Sequence, residues 1–254
     1  MSKRTLDDLV EIMAKLRGNP GCPWDKSQTH ETLKPFLVEE AYEVIDAIDR
    51  KSKEDLAEEL GDLLLQIVFH SRLAQEREDF EIGDVIEGVC NKMIRRHPHI
   101  FGDITVEGTD EVLKNWEDIK LEEKDMKTET ESMMSLPETL PALMKAFKVQ
   151  EKAARVGFDW DDVRGAFDKV YEELDELKEV YNTGNSDKIR EEMGDLLFAC
   201  VNIARFLEVE PELALKDAVK KFIRRFNYVE VEATKSDRNL QDMNLQEMDV
   251  LWEK

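Results

Sequence analysis

The sequence predicts an all-α protein built as tandem duplicated helical-bundle domains. Apolar residues recur at the three-, four- and seven-residue spacing of a buried helix face. No alternating apolar–polar run long enough for a strand appears. The chain also repeats itself: "EELGDLLLQIVF" (Glu58 to Phe69) returns as "EEMGDLLFACVN" (Glu191 to Asn202).

The elements can be justified in order. Leu37, Val38, Ala41, Val44, Ile45 and Ile48 share one helical face. Ser52, with Asp55 three residues later, predicts the N-cap of the next helix. From Leu56 to Val68 the apolar positions 56, 57, 60, 63, 64, 67 and 68 repeat the pattern, and Leu65 and Phe69 fill the opposite side. This helix is therefore expected to be buried late in its course. The connection between the two helices is short, so they should pack antiparallel.

The offset that superposes the quoted stretches also carries "EEAYE" (Glu39 to Glu43) onto "EELDE" (Glu172 to Glu176). "GCPWD" near Trp24 answers "GFDWD" near Trp160, "KMIRR" answers "KFIRR", and "NWE" near Trp116 answers "LWE" near Trp252. Matching landmarks in one order indicate a tandem duplication of a unit of about 115 residues, an ordinary domain size. The expected domains are residues 1–120 and 137–254, joined by a linker at 121–136. That segment is polar, lacks helical periodicity and runs into two prolines. Ser135 with Glu138, and Pro137 between them, predicts a capping box opening the first helix of the second domain.

The 254 residues carry a net charge of −22, with 37% charged and 41% hydrophobic side chains. Such a chain can fold without disulfide help, and its charge opposes binding to a nucleic-acid polymer or an anionic membrane. A phosphate-bearing ligand needs metal ions or local cations to offset that field. Three scattered cysteines, Cys22, Cys90 and Cys200, fit a reducing cytoplasm. The opening "MSKRTLDDLVEIM" turns acidic before any long apolar stretch, so neither a signal peptide nor a membrane span is expected.

Glu173 and Glu176 stand three apart, as do Glu192 and Asp195, so each pair shares a helix face. Two antiparallel helices would gather the four carboxylates, and divalent cations would relieve their repulsion. All-oxygen donors favour Mg²⁺ or Mn²⁺. Taken singly, such pairs are ordinary solvated faces; their pairing, duplication and apolar surroundings point to a site. Di-iron chemistry of the Glu-x-x-His kind is disfavoured, because none of the four histidines lies three residues after a glutamate. Lys221 and Arg225 share a helix face in an otherwise acidic chain. They suit either a phosphate or acidic neighbours. Lys92 and Arg96 repeat the arrangement, and Trp252 offers either a stacking surface for a base or a packing anchor.

These residues, with "GCPWDKSQTHETLKPFLVEEAYEVIDAI", "RRHPHIFGD" and "SLPETLPALMKAFKVQEKAARVGFDW", resemble the MazG family of nucleoside triphosphate pyrophosphohydrolases, of the all-α NTP pyrophosphatase superfamily. The resemblance implies Mg²⁺-dependent cleavage of an NTP or dNTP between the α- and β-phosphates, and a homodimer with active sites near the subunit contact. It implies metal ligation by Glu173, Glu176, Glu192 and Asp195, triphosphate contacts from Lys221 and Arg225, and a role for Trp252. In the first copy the matching residues are Glu40, Glu43, Glu59 and Asp62, with Lys92 and Arg96. The second copy is expected to be the main catalytic unit, with Glu192 essential and Glu172 orienting the attacking water as general base. The other expectations kept open are a helical scaffold with weak catalysis and a hydrolase restricted to one non-standard nucleotide.

Overall fold

The computed structural model describes residues 3–254. Among the described residues all regular structure is helical, with thirteen α-helices, one short 3-10 turn and no strand. The chain divides into two compact units, Met1–Lys120 and Leu121–Lys254.

The first unit contains α1 (Leu6–Arg17), α2 (Pro23–Ser27), α3 (His30–Arg50), α4 (Lys53–Gln75), α5 (Ile82–Arg96), α6 (Pro98–Phe101) and most of α7 (Thr109–Glu123). Its central pair is α3 against α4, with α1 packed on α4. Thr29 caps α3, which ends at Lys51 in the left-handed region, φ 55°. Ser52 then accepts the Asp55 backbone N–H and starts α4, as expected from sequence. With only Lys51 and Ser52 between them, the two helices must fold back on each other.

The late course of α4 is buried, also as expected, through Val68, Phe69, Leu73 and Ala74. Val68, Phe69 and Leu73 form one core with Met13 of α1 and Leu33 of α3. Burial of each such large apolar side chain stabilises the fold by about 1.5–3 kcal/mol.

The second unit contains α8 (Glu129–Met134), α9 (Ala142–Arg155), α10 (Val163–Val180), α11 (Ser186–Phe206), α12 (Pro211–Lys235) and α13 (Leu245–Trp252). Here α10 and α11 form the central pair, α9 packs on α11, and α13 packs on α12. Asp162 caps α10 by accepting the Arg164 backbone N–H. The Arg164 guanidinium beside it lowers the Asp162 carboxyl to about 2. The buried apolar residues of this unit are small, Ala166, Ala199, Val201, Val229 and Ala233.

Two expectations about the connecting segment are corrected. The stretch 121–136 is partly helical, holding the end of α7 and all of α8. Thr128 and Glu131 make a capping box that starts α8, a signal hidden by the polar composition around it. The capping box expected from Ser135 and Glu138 does not form. Ser135 instead closes α8, and its Oγ donates to the Ser132 carbonyl. The next helix, α9, begins only at Ala142, after Pro141 in extended ψ. Buried Lys152 of α9 then donates to Ser132 Oγ at 2.5 Å and ties α8 down.

In the first unit His30 and His70 stack face to face, with Nδ1 atoms 2.8 Å apart. Burial, then the nearby His30, lowers the pKa of His70. The folded state thus binds fewer protons than the unfolded chain. Its stability should fall as pH drops from the ordinary histidine value of about 6.5. His70→Asn should shrink the loss of melting temperature between pH 7.5 and 5.5, measured by thermal circular dichroism; an unaltered loss would contradict this account.

Candidate functional site

The pairing of α10 with α11 assembles the acids of the second unit. Glu173, Glu192 and Asp195 each offer a carboxylate oxygen within 4.8 Å of the others. Glu173 is buried, and its Oε2 has no hydrogen-bond partner. Glu176 is close enough that burial, then the charges of Glu173 and Glu192, push its carboxyl pKa up. Sequence spacing therefore found residues that the fold brings together.

The first unit repeats the arrangement on α3 and α4 with Glu40, Glu43 and Glu59, again within 4.8 Å. Burial, then Asp62 and Glu43, raises the Glu40 carboxyl pKa, while a Gln66 hydrogen bond opposes the shift. Glu59 is pushed up by burial and by Glu43, Glu58 and Asp62. Hard oxygen donors crowded in this way, one of them an orphaned buried oxygen, suit a divalent cation such as Mg²⁺. The residues present fit the ion that the resemblance implies.

Sequence reading missed Lys169. It lies one turn before Glu173 on α10, and its Nζ is 2.8 Å from Glu172 and 2.5 Å from Glu173. Those two hydrogen bonds raise its pKa and keep it charged. The four-residue step from Lys169 to Glu173 was the available signal. In the first unit, four residues before Glu40, stands Phe36, packed edge-on against Trp24.

A cavity of about 870 Å³ opens beside the second-unit acids. Lys169, Glu173 and Asp195 line it, as do Phe158, Trp160 and Asn202. Trp160 is held against α10 at Gly165, where an added Cβ would sit 2.4 Å from Trp160 Cδ1.

The expected phosphate and base contacts do not line this cavity. Lys221 is exposed on α12. The Arg225 guanidinium lies 4.4 Å from the centre of the Trp252 ring and donates to the Trp252 carbonyl at 2.6 Å. The first unit repeats the pair, with Arg96 at 5.6 Å from the Trp116 ring, while Lys92 is half-buried on α5.

Residues 28–101 and 165–230 match the family model described as the MazG nucleotide pyrophosphohydrolase domain. The chain is 47% identical over 248 residues to the Thermotoga maritima nucleoside triphosphate pyrophosphohydrolase/pyrophosphatase MazG, covering 98% of this chain and 94% of the relative. The chain belongs to the MazG family. It is 45% identical to the Escherichia coli K12 nucleoside triphosphate pyrophosphohydrolase over 98% of this chain and 95% of that protein. It also matches half of the uncharacterized YabN of Bacillus subtilis, at 48% identity over 242 residues. The two MazG segments contain every candidate metal ligand, and also Lys92, Arg96, Lys221 and Arg225; Trp160 and Trp252 fall outside them.

Because the Gly165 position faces the root of the Trp160 side chain, Gly165→Ala must displace it. A loss of about 1–3 kcal/mol is expected in chemical denaturation. No loss would mean that the indole moves away freely.

Proposed function

We propose that the protein is a Mg²⁺-dependent nucleoside triphosphate pyrophosphohydrolase that cleaves between the α- and β-phosphates and works in the cytoplasm. One observation carries this reading. Glu173, Glu192 and Asp195 converge within 4.8 Å, with a buried orphan oxygen, and Glu173 and Asp195 line a cavity large enough for a nucleotide. The names of the Thermotoga and Escherichia relatives support the substrate class.

Glu173, Glu176, Glu192 and Asp195 would hold the cation. A divalent ion there supplies Lewis-acid charge that draws in phosphate oxygens. Lys169, held charged by Glu172 and Glu173, offers a cation to the phosphate chain from the same rim. Glu172 is largely exposed and can turn from Lys169 to accept a proton from the attacking water. Lys221 and Arg225 of α12 would neutralise the outer phosphates and the departing pyrophosphate. Trp252, bracketed by Arg225 and Phe222, holds that arginine in place.

In the first unit the acids are complete, so it too would bind a cation. Phe36 stands there in place of the Lys169 cation, and the second unit is the better candidate for turnover.

Pyrophosphate and nucleoside monophosphate should be released with Mg²⁺ present and not after chelation. Glu192→Gln should lower the rate at least ~100-fold, since loss of a group that merely supports a metal ligand already costs about 10–100-fold. Turnover at the parental rate in a metal-replete assay of that variant would remove Glu192 from the site.

A homodimer completes the proposal. Tyr171, Leu197, Phe222 and Ile223 of the second unit are each more than half exposed. Apolar faces of that kind are ordinarily covered. Sedimentation equilibrium should give twice the 29.5 kDa chain mass; a monomer at micromolar concentration would refute it.

A further inference from the structure

The two acid clusters differ in what answers their charge. The offset that aligns Glu40, Glu43, Glu59 and Asp62 with Glu173, Glu176, Glu192 and Asp195 also aligns Phe36 with Lys169 and Gln66 with Ala199. In the second unit the Lys169 ammonium lies 2.5 Å from Glu173 and 2.8 Å from Glu172. A cation that belongs to the chain already sits on the acids there. In the first unit the matching side chain is Phe36, which carries no charge and packs on Trp24 at a centroid distance of 6.1 Å. Glu40 has Asp62, Glu43 and Glu39 as charged neighbours, all of one sign. Arg50 acts against them at Glu59, but its guanidinium is paired with Asp55 at 3.0 Å.

Gln66 is the other difference. It lies on α4 one turn after Asp62 and is 6% exposed. Its amide donates to the Glu40 carboxylate, and its Oε1 is buried without a hydrogen-bond partner. An orphaned amide oxygen costs stability unless a donor or a cation satisfies it. The counterpart, Ala199, has no polar side-chain atom to offer. A neutral amide oxygen beside carboxylates suits the donor set of a hard divalent cation. Glu40 and Glu43 come from α3, while Glu59, Asp62 and Gln66 come from α4, so an ion between them would cross-link the central helix pair.

We propose that the first unit holds a resident divalent cation between α3 and α4, bound without nucleotide, with Gln66 keeping Glu40 in place and offering its free oxygen to the ion's shell. The role of that ion is to hold the helix pair together. In the second unit Lys169 competes with the ion for Glu173, and phosphates that draw the ammonium away let the ion in. The two units therefore load metal differently, the first before nucleotide and the second with it. The proposal rests on the reading of the acids as cation ligands and not on hydrolysis.

The test uses the full chain, stripped of metal by chelation, in about 0.15 M salt to screen its overall charge. Mn²⁺ is the probe, and the bound ion is counted by electron paramagnetic resonance. Without nucleotide the parent should take up one Mn²⁺ per chain, which Mg²⁺ displaces. Further Mn²⁺ should bind once α,β-methylene-ATP is added. Gln66→Ala installs the second unit's residue and should weaken the nucleotide-free Mn²⁺ by about tenfold or more, the scale of a lost supporting contact at a metal site. Phe36→Lys installs the second unit's cation and should weaken it too, because it sets a like charge beside the ion. Mg²⁺ without nucleotide should raise the melting temperature of the parent, and raise that of Gln66→Ala less at the same concentration.

Mn²⁺ that binds only after nucleotide is added overturns the resident ion and leaves the hydrolase reading standing. Mn²⁺ that binds under neither condition defeats both. A nucleotide-free ion whose affinity is unchanged in folded Gln66→Ala and Phe36→Lys lies elsewhere, and the proposal falls. If Gln66→Ala loses its cooperative melting transition, Glu43→Gln decides in its place. That exposed ligand should cost a similar loss of affinity, and an unchanged affinity overturns the site.

Discussion

Carboxylates held together by the packing of two helices are the constraint on which each unit turns. Neither α10 nor α11 alone would gather them; residues three apart share a face but still project into solvent. Packing α10 on α11 brings Glu173, Glu192 and Asp195 within reach of one another and strips water from Glu173. Burial first, and then the neighbouring like charges, disfavour ionisation, which is why Glu40, Glu59 and Glu176 are all pushed toward higher pKa. A cation or a protonated neighbour must answer that repulsion. In the second unit Lys169 supplies part of the answer from within the chain.

The duplicated units show how one scaffold diverges by filling. Both keep a capped helix pair, an acidic cluster and an arginine set over a late tryptophan. They differ in what lies beneath the acids. Met13, Leu33, Phe69 and Leu73 give the first unit a packed core. The second unit buries alanines and valines, and Asn202, at the position matching Phe69, lines the cavity beside the acids. A cleft of that size beside a charged cluster is what a ligand site needs.

The connecting segment shows the limit of local pattern reading. Ser135 and Glu138 have the spacing of a capping box, yet Ser135 ends a helix. The working pair, Thr128 and Glu131, lies seven residues earlier within a run of similar polar residues. The helix that follows also bears on this segment: Lys152 of α9 donates to Ser132 of α8. Such a contact joins residues far apart in sequence, and no local window contains it.

Sequence by itself determined the helical class, the duplication, the cap at Ser52, the late burial of α4 and the acid pairs of both units. These follow from short-range periodicity and spacing, which the helix enforces residue by residue. Tertiary structure alone decided that Phe69 packs into a core while its counterpart Asn202 lines a cavity. It also decided that Arg225 rests on Trp252 rather than on the cavity wall. The physical reason is that volume and charge between packed helices depend on which side chains meet across them.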